Sequence, residues 1–96
     1  MAREKINPCW VFSISGRVAY LRVVARAKQQ LKTLGDSIRK YRGQIGMSQE
    51  KLAEKADLHS VYIGKIERGE QWISLHALLR IAKALNVRLR DLVADL

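Results

Sequence analysis

From residue 34 onward, apolar side chains recur every three or four positions, as they do in helices that each bury one stripe. Leu34, Ile38, Tyr41 and Ile45 predict a first such helix, stopped at Gly46. Ser48 is then a natural N-cap, Gln49 and Glu50 fill a first turn, and Leu52, Ala53 and Ala56 give a short helix with a face of small residues. Asp57, Leu58 and His59 form the turn that follows, in which Asp57 tolerates a left-handed backbone. Ser60 to Arg68 predicts another short helix, ended by Gly69. Ser74 caps a longer one, whose Leu75, Leu78, Leu79, Ala82 and Leu85 form a broad apolar face. Asn86 and Val87 interrupt it, and Leu89, Leu92, Val93 and Leu96 repeat the spacing in a last helix.

The first 33 residues follow another pattern. "CWVFSIS" alternates Trp10, Phe12 and Ile14 with Val11 and Ser13, which suits a short extended segment. Ser15 can cap a helix running through residue 34, with Leu21, Val24, Lys28 and Leu31 on one side and Arg22, Arg26 and Gln29 on the other. This helix can run straight into the next. Gly35 argues either for a break at the junction or for a close packing contact there, since glycine costs about 1 kcal/mol in a helix relative to alanine. The expected division is therefore an N-terminal basic extension over 1–33 and a compact domain over 34–96.

Composition narrows the partners. A chain of 96 residues with 48% hydrophobic and 28% charged side chains has the make-up of one folded domain. Its net charge of +9 favours a polyanionic partner, nucleic acid ahead of an anionic membrane. The basic excess is concentrated in residues 1–33, which carry seven Lys and Arg against one acid, while residues 34–96 carry eleven against eight. Cys9 is the only cysteine, so no intrachain disulfide can form, and a reducing cytoplasm is the expected compartment. The apolar run after "MAREK" is short, follows Pro8 and is succeeded by Arg17, Arg22 and Arg26, which argues against a secretory signal. No stretch approaches the roughly 20 apolar residues of a membrane span. His59 and His76 have no cysteine or carboxylate partner at ligand spacing, and no nucleophile–base pair or phosphate cradle is present. No metal, no cofactor and no enzymatic activity are expected.

The helix over 60–68 carries the most information. With Ile63 and Ile66 pointing inward, Val61, Lys65 and Arg68 lie nearly opposite, Ser60 and Glu67 on one flank and Tyr62 on the other. A hydroxyl and an amine can read base edges in a DNA major groove, and an apolar side chain can meet a thymine methyl. Taken alone, the same face is equally that of a solvated helix with one exposed valine. The order of elements favours the first. Two short helices joined by a three-residue turn, with Ala53 and Ala56 permitting close approach, form the helix-turn-helix arrangement, whose second helix enters the major groove.

At this point the chain resembles a known family. "SQEKLA", "YIGKIERG" and "LLRIAKAL", in this order and spacing, resemble the Cro/C1-type (XRE-like) helix-turn-helix family of phage repressors, restriction-modification controller proteins and antitoxins, over about residues 34–96. The resemblance implies an all-α, five-helix, lambda-repressor-like DNA-binding domain, here with an N-terminal extension, that acts on double-stranded DNA as a homodimer. By position it implies that Ser60, Val61 and Lys65 contact bases. It likewise implies phosphate contacts from Gln44, Gln49, Tyr62, Arg68 and Trp72. Arg42 and Glu67 match a family ion pair that ties the first helix to the recognition helix. The dimer contact is expected at Val93 and Leu96, while Leu89 and Leu92 close the core.

The chain departs from the family pattern in three places. Asp57 occupies a turn position where glycine is common, Ile73 stands where a proline is common, and His59 stands where the recognition helix usually has a capping Ser, Thr or Asp. Ser60 could take over the cap, which would remove it from base reading. Gly64, inside the recognition helix, suits a close approach to the preceding helix or to DNA. Residues 1–33 could add backbone contacts to DNA, cover the core, or bind a protein partner, as in an antitoxin whose extension masks a toxin. RNA binding is a weaker alternative, since aromatic residues make up only 6% of the chain.

Overall fold

The computed structural model describes residues 16–96, with side-chain surroundings from Val18 onward. The extended segment expected within residues 9–15 lies outside the described residues. Five helices follow one another: α1 Gly16–Gln44, α2 Gln49–Ala56, α3 Ser60–Glu67, α4 Leu75–Leu85 and α5 Leu89–Leu92. The described chain is all-α, with no strand.

The two helices expected on either side of Gly35 are one helix of 29 residues, about 43 Å long at 1.5 Å per residue. The junction is held by local chemistry, with the Lys32 ammonium 2.8 Å from the Asp36 carboxylate one turn on and the Thr33 hydroxyl donating to the Gln29 carbonyl. Gly35 marks a close approach, not a break. A Cβ there would lie 2.4 Å from the Ile66 carbonyl oxygen and 2.7 Å from that of Glu67. Gly69 makes the reciprocal approach, with φ of +73° and room for no Cβ beyond 2.8 Å from the Lys32 Cα. Two glycines, one on each partner, thus let the end of α3 lie directly on the α1 backbone.

The start and stop signals act where the sequence places them. The Ser48 hydroxyl accepts from the Lys51 N–H at 3.0 Å, and the Ser74 hydroxyl accepts from Ala77 at 3.1 Å. Asp57 adopts φ 57°, ψ 48°, and the Leu58 N–H returns to the Ala53 carbonyl, closing α2 with a left-handed cap. Asn86 closes α4 in the same way at φ 59°. The turn between α2 and α3 is therefore closed by backbone hydrogen bonds as well as short.

Leu34, Ile38, Leu52, Ala53, Ala56, Ile63, Ile66, Leu78, Ile81, Ala82, Leu85 and Leu92 form one buried core. α2 packs against α4, α3 lies against both α1 and α2, and α5 closes the base against α4 and α1. Ala53 and Ala56, each 3% exposed, bring α2 and its neighbours together without large side chains between them.

Three expectations about the apolar stripes need correction. Ile45 falls just beyond α1 and is exposed, because the helix ends at Gln44 before the stripe's next turn. Leu75 and Leu79 are 63% and 47% exposed, since they lie on the edge of the α4 stripe and the core takes Ala77, Leu78, Ile81, Ala82 and Leu85. The last helix ends at Leu92, with Asp91 accepting the Arg88 N–H at its start. Residues 93–96 form a turn that leaves Leu96 exposed.

Candidate nucleic-acid interface

The recognition helix is held from its inner side by one buried carboxylate. Glu67, at the last position of α3, has no exposed surface. The Arg42 guanidinium of α1 grips it with two bonds, Nε donating to Oε2 at 2.7 Å and Nη2 to Oε1 at 3.0 Å, while Nη1 donates to the Met47 carbonyl at 2.8 Å. Gln49 Nε2, on the first residue of α2, donates to Glu67 Oε1 at 2.9 Å. Arg39 Nε approaches the same oxygen at 3.5 Å. One side chain thereby joins α1, the loop before α2, α2 and α3. A planar guanidinium meeting both carboxylate oxygens fixes orientation as well as distance.

Burial by itself would push the Glu67 carboxyl above its ordinary range. The hydrogen bonds from Arg42 and Gln49, with the charges of Arg42 and Arg39, outweigh it and hold the group below that range. Hydrogen bonding to Glu67 raises Arg42 correspondingly, against the opposing effect of its own burial. Both partners are therefore charged at neutral pH. A charged pair of this kind contributes orientation more than net stability, but removing either member strands the other.

The outer side of α3 is open. Val61 is 60% exposed and Lys65 is exposed, while Ile63, Gly64, Ile66 and Glu67 face inward. His59 takes the N-cap position in extended backbone without a side-chain hydrogen bond, and Ser60 is the first helical residue. Ser60 therefore does not replace the missing cap, because its backbone is already helical, and the half-buried residue precedes Val61 at the entry to the helix. Tyr62 is half-buried against the core. The α3 N-terminus lacks the hydroxyl cap that closes α2 and α4, so the positive end of its dipole is not offset by a side chain.

The expected phosphate-contact residues surround this helix in the chain, with different freedoms. Gln44 is exposed at the end of α1, and Trp72, 65% exposed, stands on the loop after α3, where Gln71 donates to its carbonyl. Arg68 caps the C-terminus of α3 and pairs with Glu70 at 3.1 Å. Gln49 is the exception: it already donates one amide hydrogen to Glu67, so it links the buried pair to the surface. At Gly64 a Cβ would come within 3.6 Å of Gln49 Oε1 and 3.2 Å of the Arg68 guanidinium. The close approach to α2 expected at Gly64 is thus an ordinary van der Waals contact, far looser than that at Gly35. At the far end of the domain, Val93 is half-buried against the core and Leu96 is exposed.

Sequence reasoning missed Arg39 as a third group on Glu67, although its position one turn before Arg42 on the same face was the available signal. It also took Leu75 and Leu79 for core. Among the described residues no cluster of His, Cys, Asp or Glu could hold a metal ion, and no helix is long and apolar enough to cross a membrane.

A buried ion-pair hub behind a short helix, with that helix's small, apolar and cationic residues turned outward, defines a helix-turn-helix DNA-binding module. A helix-turn-helix family model matches residues 38–92, and the chain belongs to this Cro/C1-type family of transcriptional regulators, which are not enzymes. Among its relatives, the control protein C.BamHI of Bacillus amyloliquefaciens is 47% identical over 60 residues, covering 62% of this chain and 74% of that protein. The control protein C.SmaI of Serratia marcescens is 43% identical over 60 residues, covering 62% and 71%. The crystal structure of the restriction-modification controller protein C.AhdI from Aeromonas hydrophila superimposes with a TM-score of 0.64 at 39% identity, over 65% of this chain and 94% of that one. The clp gene regulator ClgR from Corynebacterium glutamicum gives a TM-score of 0.65 at 26% identity, over 68% and 84%. The protein is a DNA-binding transcriptional regulator similar to these controllers.

Proposed function

We propose that the protein controls transcription in a bacterial cytoplasm by binding a palindromic operator as a homodimer, in the manner of a restriction-modification controller. The observation that carries this reading is the division of α3, with Glu67 locked on the inside and Val61 and Lys65 open on the outside. In this reading the outer face of α3 enters the major groove. Ser60 and Lys65 hydrogen-bond base edges, and Val61 packs on a thymine methyl. Gln44, Gln49, Tyr62, Arg68 and Trp72 hold the flanking phosphates, setting register without reading sequence. Gln49 uses its second amide hydrogen for this while the first stays on Glu67, which couples phosphate binding to the seating of α3.

The dimer contact is assigned to the C-terminal side, at Val93 and Leu96. Support comes from the exposed Leu96 and from Leu75 and Leu79, exposed on the α4 against which α5 packs. A two-fold dimer would place two copies of α3 in successive major grooves about 34 Å apart. The test is nuclease footprinting of the full chain on DNA flanking its own gene. A protected inverted repeat, with affinity falling steeply as salt rises, is the expected result. Uniform protection without a preferred site would overturn the reading.

A further inference from the structure

We propose that the projecting half of α1 is an interaction surface for a second copy of this chain, which pairs with it helix to helix. α1 is one rod with two fates. Between Leu34 and Tyr41 its inward stripe is covered by the core, whereas from Val18 to Thr33 no residue is buried. The stripe itself does not stop. Val24, Ala27, Leu31, Leu34, Ile38 and Tyr41 are spaced by three and four in alternation, the a/d repeat of a coiled-coil seam. Exposed Leu21 and Val23 widen it in the projecting half. A lone helix of about 15 residues is marginal in water, so this half has most to gain from a partner.

The charges identify the occupant. Between Val18 and Leu31 the charged residues are Arg22, Arg26 and Lys28. On a 100° wheel Arg22 and Arg26 lie across the helix from Val24, Ala27 and Leu31, and Lys28 lines the cleft it shares with Leu31, Gly69, Glu70 and Trp72. Lys28 borders the stripe on the cleft side, so an acidic helix seated there would find one cation to pair with, in a cleft that already holds Glu70. Two copies meeting there join apolar side chains, leave Arg22 and Arg26 on the outer surfaces and keep each Lys28 at the edge of the seam. With helix axes 8–10 Å apart, those outer charges are about 20 Å or more from their counterparts, beyond two Debye lengths of about 8 Å at physiological salt. The residual repulsion makes salt strengthen the pairing, the opposite of its effect on DNA binding. This surface is separate from the one assigned at Val93 and Leu96, and the inference does not depend on that assignment.

Sedimentation velocity of the full chain without DNA, over a concentration series at low and high salt, tests it. Val24→Asp is expected to halve the mass of the largest species and weaken the association by about tenfold or more, since a carboxylate cannot be buried unpaired. Ala27→Lys keeps a good helix former in place and is expected to do the same, which separates lost pairing from lost helix. Arg22→Ala should associate at least as tightly as the parent chain, and Leu79→Asp should leave the α1 contact intact. Equal masses for the parent, Val24→Asp and Ala27→Lys chains at every concentration would overturn the proposal. So would an association through this stripe that weakens as salt rises.

Discussion

The inner and outer sides of α3 are built on opposite principles. Glu67 on the inner side is fully buried and bound by Arg42, Gln49 and Arg39, and the backbone around it lies on Gly35 of α1 with no space for a methyl group. Val61 and Lys65 on the outer side are exposed. An eight-residue helix thus separates the residues that fix its position from those free to meet a ligand. Recognition of DNA needs both, because base readout works only when donors are held in register.

That separation can be broken from the inside first. Glu67→Ala is expected to cost about 3–5 kcal/mol by stranding the Arg42 guanidinium, a large share of the roughly 5–15 kcal/mol typical of whole domains. Urea unfolding would show it as a lower midpoint. Gly35→Ala should cost about 1–3 kcal/mol despite the better helix propensity of alanine, because its Cβ meets backbone carbonyls that cannot turn away. Gly64→Ala sharpens the contrast. It faces only the end of Arg68 and the Gln49 side chain, so it is expected to be neutral or to stabilise by up to about 1 kcal/mol in the same assay.

Acid reaches the inner side alone. Since the folded-state Glu67 pKa is lowered, its contribution is complete above the unfolded-state carboxylate value of about 4.3 and is lost as pH falls from there through the lower folded value. The parent chain should therefore lose stability on acidification more steeply than Glu67→Gln, whose amide does not titrate, as thermal unfolding at stepped pH would show. Identical pH profiles would mean that Glu67 is not held as the ion. Arg42, raised from its ordinary value, keeps its contribution at all pH below that range.

Much of this was legible in the sequence because the signals are local. Ser48, Asp57, Gly69 and Ser74 each carry the chemistry of a specific helix end, and the order of the short helices identified the helix-turn-helix. The Arg42–Glu67 pair followed from the family resemblance. Gly35 could not be resolved from the sequence, since its role depends on carbonyl oxygens of Ile66 and Glu67 some thirty positions away. The wheel does not fix where α3 begins, so from the sequence Ser60 is as good a cap as His59; His59 in extended backbone settles that. Leu75 and Leu79 fit the α4 periodicity and still face outward, because the packed neighbours, not the stripe, set how much of it is covered.

The outer side is tested by the smallest expected change in stability and the clearest change in binding. Lys65→Ala should unfold within about 0.5 kcal/mol of the parent chain. The decisive measurement is its affinity for the operator and for a scrambled duplex at one salt concentration. The account predicts that Lys65→Ala lowers the ratio of the two affinities by about 1–3 kcal/mol, with little change on the scrambled duplex. A Lys65→Ala chain that keeps the full ratio, or that loses affinity equally for both duplexes, would contradict base reading by the outer face of α3.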